Sequence, residues 1–219
     1  MHSAFAIVLE VASGALADAL GRLGGARGRR SRSGCGGWSW TRPRPLASPR
    51  AGLILTGPPG AGKTTVARLL AVQAERSVHL EADWFFHVIK AGFIEPWKPE
   101  SRAQNEVVMK VVARAAAGYA EAGYLTILDG IFLPAWFLPP VRDSLQEAGH
   151  TVAYTVLRAP LSVCLRRASG RAGRPLNDPA VIEQLWNQFA DLGPFESHAL
   201  DTSNRSAEEA AALVTERLK

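Results

Sequence analysis

Gly57 Pro58 Pro59 Gly60 Ala61 Gly62 Lys63 Thr64 Thr65 is the stretch of the chain whose residue types and spacing speak most directly of chemistry. Glycines at those offsets let backbone N–H groups turn toward a chain of phosphates, and a helix that begins at the lysine points its positive end at the same place. Lys63 is spaced to reach the β and γ phosphates, and the Thr64 hydroxyl to hold Mg²⁺. The apolar run Leu53 Ile54 Leu55 before it and the helical pattern Val66 Ala67 Arg68 Leu69 Leu70 after it supply the strand and helix that such a loop needs. A glycine-rich turn that binds nothing has no need of Lys-Thr at that offset.

Further candidates lie where apolar runs end, because ligands of an open parallel sheet collect beyond the carboxyl ends of its strands. Asp83 follows the run ending at Glu81, and it would accept the proton of an attacking hydroxyl or cap the short helix that starts there; the two roles can coexist. Asp129, followed by Gly130, closes the run Leu125 Thr126 Ile127 Leu128 and would hold Mg²⁺, with a helix cap or an Asp-Gly turn as the competing role. Arg166, Arg167, Arg171 and Arg174 fall in a polar stretch from Arg166 to Asn177 that reads as a mobile lid. Arginines on a closing lid stabilise transferring phosphate, Arg171 and Arg174 being favoured for that role and Arg167 for the adenine side, against the alternative of a solvated helix end. Trp84, Phe85, Phe86, Gln104 and Asn105 are candidates for an acceptor pocket, with core packing and helix capping as their ordinary uses. The cations of that segment, Lys90, Lys98 and Arg102, are scattered rather than paired, so a largely neutral, hydroxyl-bearing molecule suits it better than a phosphate or carboxylate.

The elements that must carry these residues follow from the pattern of apolar positions. The sequence predicts strands at 52–56, 77–81, 124–129, 151–157 and 198–202. Helices are expected at 63–75, from near 83, at 102–122, 139–148, 160–169, from 178 to about 190, and from 206 to the end. The inner face of the long helix is read as Val108, Val111, Val112, Ala115 and Tyr119, with a capping box of Ser101 and Gln104 at its start and Gly123 at its end. Ser206 and Glu209 form a second capping box, and Ala210, Leu213, Val214 and Leu218 the inner face of the last helix. Asp178 then Pro179 is an N-cap followed by proline at the first helical position. Short apolar strands alternating with helices imply an α/β parallel sheet covered on both faces.

Composition bounds the rest. The 219 residues carry a net charge of +5, but residues 1–50 hold eight Arg against Glu10 and Asp18, and residues 51–219 hold 17 basic and 18 acidic residues. The basic charge therefore belongs to the Gly/Arg/Pro-rich stretch 1–50, read as a mostly disordered extension, and no nucleic-acid partner is expected for the core domain at 51–219. Cys35 and Cys164 have no C-x-x-C partner and read as free thiols in a reducing cytoplasm. No apolar run reaches the roughly 18 residues that a membrane span requires, so no membrane association is expected. An Asn-Lys-x-Asp guanine motif is absent, which argues against a GTPase switch.

On GPPGAGKTT at 57–65, Asp83 in Asp-Trp-Phe-Phe, the Gln104-Asn105 pair, Asp129-Gly130 and the arginine-rich stretch, residues 51–219 resemble the small P-loop kinases, in particular the chloramphenicol phosphotransferase-like and zeta-toxin-like phosphotransferases. The AAA-type label often given to small ATP-binding proteins like these would be a nominal relation. The resemblance implies a P-loop NTPase sandwich whose five parallel strands run in the order 2-3-1-4-5, ATP and Mg²⁺ as cofactors, and transfer of the γ-phosphate to a hydroxyl with Asp83 as base. It also implies that Asp201 Thr202 Ser203 lies near the nucleotide base. An antibiotic or a sugar-containing metabolite is the acceptor class that fits, for a cytoplasmic monomer or homodimer. A regulatory or scaffold ATP-binding protein, or a nucleic-acid-modifying kinase recruited by the basic arm, is the alternative.

Overall fold

The structure, a computed structural model, describes residues 51–169, 176 and 178–218. The expected extension 1–50, with Cys35, and the lid positions Arg171 and Arg174 lie outside them.

Five strands, β1 Ala51–Thr56, β2 Ser77–Glu81, β3 Leu125–Asp129, β4 Thr151–Arg158 and β5 Ala199–Asp201, form one sheet in the order β2-β3-β1-β4-β5. All four pairings are parallel. Side chains alternate across a pleated strand, so neighbours along β1 enter different cores. Leu53 and Leu55 pack with Ile127 and Leu157 against α1 (Lys63–Gln73) and α7 (Ala207–Glu216). Ile54 packs with Leu128 and Val156 against α3 (Arg102–Glu121) and α4 (Leu138–Glu147) on the other face. Full burial of each such side chain contributes about 1.5–3 kcal/mol. The remaining helices are α2 (Ala82–His87), α5 (Leu161–Ser169) and α6 (Pro179–Asn187). Among the described residues no helix is long and apolar enough to cross a membrane.

Local signals explain several boundaries. Asp178 caps α6 by accepting from the Ala180 N–H at 2.9 Å. Ser206 and Glu209 close their capping box at 3.1 and 2.8 Å. Gly123, at φ +83°, ends the turn after α3.

The start and the face of α3 differ from the sequence reading. The Ser101 hydroxyl donates to the carbonyls of Pro96 and Lys98 instead of capping the helix. Gln104 turns back to Ile94, accepting from its N–H at 2.9 Å and donating to its carbonyl at 2.6 Å. The inner line runs Asn105, Val108, Met109, Val112, Ala113, Ala116 and Ala120, while Val111 and Tyr119 face solvent. A polar residue takes a core position because Asn105 Nδ2 donates to both the Pro96 carbonyl and the Ser101 hydroxyl, each at 2.8 Å. On α7, Ala211 is buried with Ala210 and Val214, and Leu213 and Leu218 are half-buried against the same core. The helix α5 runs through Ser169, which puts Arg166 and Arg167 on its last turn rather than in a loop. Burial of Cys164 and Ala168 on one side of α5 holds that turn in place.

Candidate functional site

The phosphate loop leaves the end of β1 and enters α1 at Lys63. Two of its glycines have separate physical reasons. A Cβ on Gly60, at φ +84°, would lie 2.3 Å from the Cys164 carbonyl oxygen, so only glycine lets the loop rest on the backbone of α5. A Cβ on Gly62 would meet nothing within 4 Å, so there it is the φ of +98° rather than space that favours glycine. Gly62 is also the N-cap of α1; it offers no capping side chain, and the first helical turn holds no acid. The helix therefore presents its first N–H groups without a capping side chain and its positive end without a first-turn acid, which suits a phosphate chain. Lys63 Nζ donates to the Pro58 carbonyl at 3.1 Å, which folds the ammonium over the loop.

Asp129 stands at the end of β3, beside β1, and is 4% exposed. Burial pushes its carboxyl up, but the His79 hydrogen bond, the Lys63 charge and the Thr64 hydroxyl together outweigh that and hold it below the usual carboxylate range. The carboxylate thus stays ionised next to the Thr64 hydroxyl. An anionic oxygen and a hydroxyl side by side under the phosphate loop are hard oxygen donors of the kind Mg²⁺ selects. The turn after Asp129 is tied to β1, since the Thr56 hydroxyl accepts from the Phe132 N–H at 2.9 Å.

Sequence reasoning missed His79. Its Nε2 donates to Asp129 Oδ2 at 3.4 Å from the neighbouring strand, where it orients the carboxylate. Only the β2–β3 pairing brings the two together, so no local spacing could have announced it.

Asp83 lies in the first turn of α2 and is exposed; the N-cap is Glu81, and no side chain caps the helix. The capping role is therefore unused. Asp83 lines a cleft of about 1100 Å³ together with Gly62, Lys63, Thr64 and Asp129. Trp84 and Phe86 line the same cleft, as do Phe93, Trp97 and Trp136. Phe85 packs half-buried on the core instead. Gln104 and Asn105 do not line the cleft: their amides hold the loop around Ile94 and Pro96 whose neighbours Phe93 and Trp97 do. They shape the wall from behind.

On the other side of the phosphate loop a recess of about 330 Å³ is lined by Gly60, Ala61, Gly62, Thr65, Arg167 and Thr202, among others. Arg167 is fixed there by donating to the carbonyls of Thr202 and Ser203 at 2.9 and 3.3 Å. Thr202 in turn donates to the Ala61 carbonyl at 3.1 Å. This joins the end of β5 to the loop and gives a flat guanidinium beside it, the geometry suited to an adenine face.

Comparison with known proteins adds to this picture. The chain is 32% identical over 143 residues to a shikimate kinase of Psychrobacter, 62% of this chain and 73% of that protein. It is 33% identical over 144 residues to a shikimate kinase of Salinispora arenicola, covering 62% and 77% respectively. It also matches Tat-binding homolog 7 of Caenorhabditis elegans at 32% identity, but spans only 8% of that protein. Among solved structures, a sugar kinase of Janibacter and the tunicamycin resistance protein of Deinococcus radiodurans each superpose with a TM-score of 0.58 at 21% identity, covering 78% of this chain and 95% of theirs. Residues 53–193 match the family described as AAA domain (AAA_33), and with the strand order and phosphate loop above, the chain belongs to that family as a small P-loop kinase-type protein.

Proposed function

We propose that the chain transfers the γ-phosphate of ATP to a hydroxyl of a small organic molecule. The observation that carries this reading is the shared cleft: an exposed carboxylate, Asp83, opens onto the same space as the phosphate loop, Lys63 and the Thr64–Asp129 pair. A regulatory nucleotide switch needs the last three but has no use for the first. Kinase relatives such as the shikimate kinase of Psychrobacter support transfer to a small molecule.

In this reading the loop N–H groups and Lys63 hold the β and γ phosphates, and Arg167 borders the base. Asp83 takes the proton of the acceptor hydroxyl as the oxygen's electron pair forms a bond to the γ-phosphorus. The bond between that phosphorus and the bridging oxygen breaks, and its electrons leave on the β-phosphate of ADP. Thr64 and Asp129 would hold Mg²⁺, which when bound supplies neutralisation of the phosphate charge. Arg171 and Arg174 would stabilise the charge of the transferring group. Residues 51–219 are the working domain in this scheme, and 1–50 an extension with no part in the chemistry.

A coupled ADP-release screen over hydroxylated compounds tests it, with Asp83→Asn as control. Acceptor-dependent turnover that the variant loses is the expected outcome. Full turnover in the variant would remove Asp83 as base, and release of ADP indifferent to every acceptor would favour a plain ATPase. For the lid, Arg174→Ala should lower kcat far more than ATP affinity, and equal loss of both would point to a ground-state contact.

A further inference from the structure

Three large aromatic side chains left exposed by folding face one concavity. Trp84 is 63% exposed, Phe93 43% and Trp136 38%, and all three line the 1100 Å³ cleft. They come from three separate segments: the first turn of α2, the loop that follows it, and the turn between β3 and α4. Isolated exposed apolar residues are ordinary on a protein surface, whereas aromatic faces converging on one cleft are what an apolar ligand requires. Two of the rings are held by a second ring, Trp84 edge-on to His87 at 5.9 Å and Trp136 stacked on Phe137 at 4.0 Å. Trp84 and Asp83 line this one cleft, so a single acceptor can meet the indole with its body while it presents a hydroxyl to the carboxylate.

The charges of the same wall point the same way. Arg68 meets Glu81 at 2.7 Å, Lys98 meets Glu95 at 2.8 Å, and Arg102 meets Glu106 at 3.1 Å. Of the Lys and Arg that line the cleft, the three other than Lys63 of the phosphate loop each face a carboxylate, and Asp83 adds a negative charge of its own. A carboxylate or phosphate on the acceptor would meet cations already partly neutralised by Glu81, Glu95 and Glu106, and the repulsion of Asp83. Shikimate, the substrate named for several relatives, carries a carboxylate.

We infer that the acceptor is an uncharged alcohol with a bulky ring-bearing body, seated with its ring on the exposed aromatic wall of Trp84, Phe93 and Trp136 and its hydroxyl at Asp83. This rests on the phosphotransfer reading for the identity of the cleft as the acceptor site. It separates the chain from the shikimate kinases it resembles by the class of molecule it takes.

Quenching of tryptophan fluorescence in the full chain, with 4-nitrophenyl β-glucoside as probe, tests it without turnover. The matched controls are 4-nitrophenyl β-glucuronide, which keeps the ring and adds a carboxylate, and methyl β-glucoside in competition, which drops the ring. The aryl glucoside should bind about tenfold more tightly than either control. Trp84→Ala should cost about the same factor for the aryl glucoside while leaving ATP affinity unchanged. Equal or tighter binding of the glucuronide, equal binding of the methyl glucoside, or no Trp84-dependent binding of the aryl probe overturns the inference. ADP release serves to separate the two readings. Release stimulated best by shikimate keeps phosphotransfer and sinks the neutral acceptor. Trp84-dependent binding with no acceptor-stimulated release by any hydroxylated compound does the reverse.

Discussion

The two ends of the cleft are made of different materials. At the phosphate end the contacts belong mostly to backbone: glycines that let the loop lie on α5, helix N–H groups with no capping side chain, and carbonyls that anchor Lys63 and Arg167. At the far end the contacts belong to side chains, with broad aromatic faces standing exposed and amides holding their loop from behind. A backbone cradle recognises any nucleoside triphosphate tail and admits little variation, because changing it means moving strands. An aromatic wall carried by a short helix, a turn and a loop pinned by Ser101, Gln104 and Asn105 can change shape without touching the sheet. In the phosphotransfer proposed above, the fold would fix the donor of the reaction and leave the acceptor to a replaceable part.

Substitutions can break that division or sharpen it. The largest effect is expected at the junction: Asp83→Asn should lower kcat by about 10²–10⁴-fold with ATP affinity intact in a titration. A parallel loss of ATP affinity would mean that the two ends are not separable. Next, Lys63→Ala should lower kcat by about 10²–10³-fold through loss of a charge placed at the transferring phosphate, with acceptor-probe binding unchanged. His79→Ala should weaken Mg²⁺-dependent nucleotide binding by about 10–100-fold and leave metal-free binding as it was, measured with a fluorescent ATP analogue. Equal effects with and without metal would make His79 a strand-packing residue only. At the other end, Gln104→Ala removes two hydrogen bonds to the Ile94 backbone. It should raise the acceptor KM by about tenfold, at a cost near 1–2 kcal/mol, while the KM for ATP stays put.

The same division decides what could be read from the sequence. The phosphate loop was legible because nine consecutive residues carry it and their glycines act where they stand. Strand order followed from resemblance, and the strand limits from short apolar runs; β2 matches expectation at both ends, β1, β3 and β4 differ by one residue at one end, and β5 by one residue at each end. Asp83 and Asp129 could be found because each sits where a strand stops. The long helix was misread where tertiary demand overrode local preference. Ser101 and Gln104 have the spacing of a capping box, yet their polar groups go to Pro96, Lys98 and Ile94, because a loop without regular structure has carbonyls and N–H groups that need partners. That same need draws Asn105 inward and turns Val111 out. His79 was invisible for a simpler reason: its partner is 50 residues away on another strand.

Gly60 resting on the Cys164 carbonyl has one more consequence. The Cys164 thiol is fully buried and bonds to the Ala159 carbonyl at 3.6 Å. A thiol reagent reaches it only when α5 lifts away, and that motion takes the support from under the loop. The labelling rate of Cys164, followed on its own peptide so that Cys35 does not contribute, is therefore a clock for the opening of this part of the molecule. Saturating ATP should slow the clock by the factor by which nucleotide prefers the closed form. A single sulfur that takes no part in the reaction would then report the strength of the grip on the nucleotide.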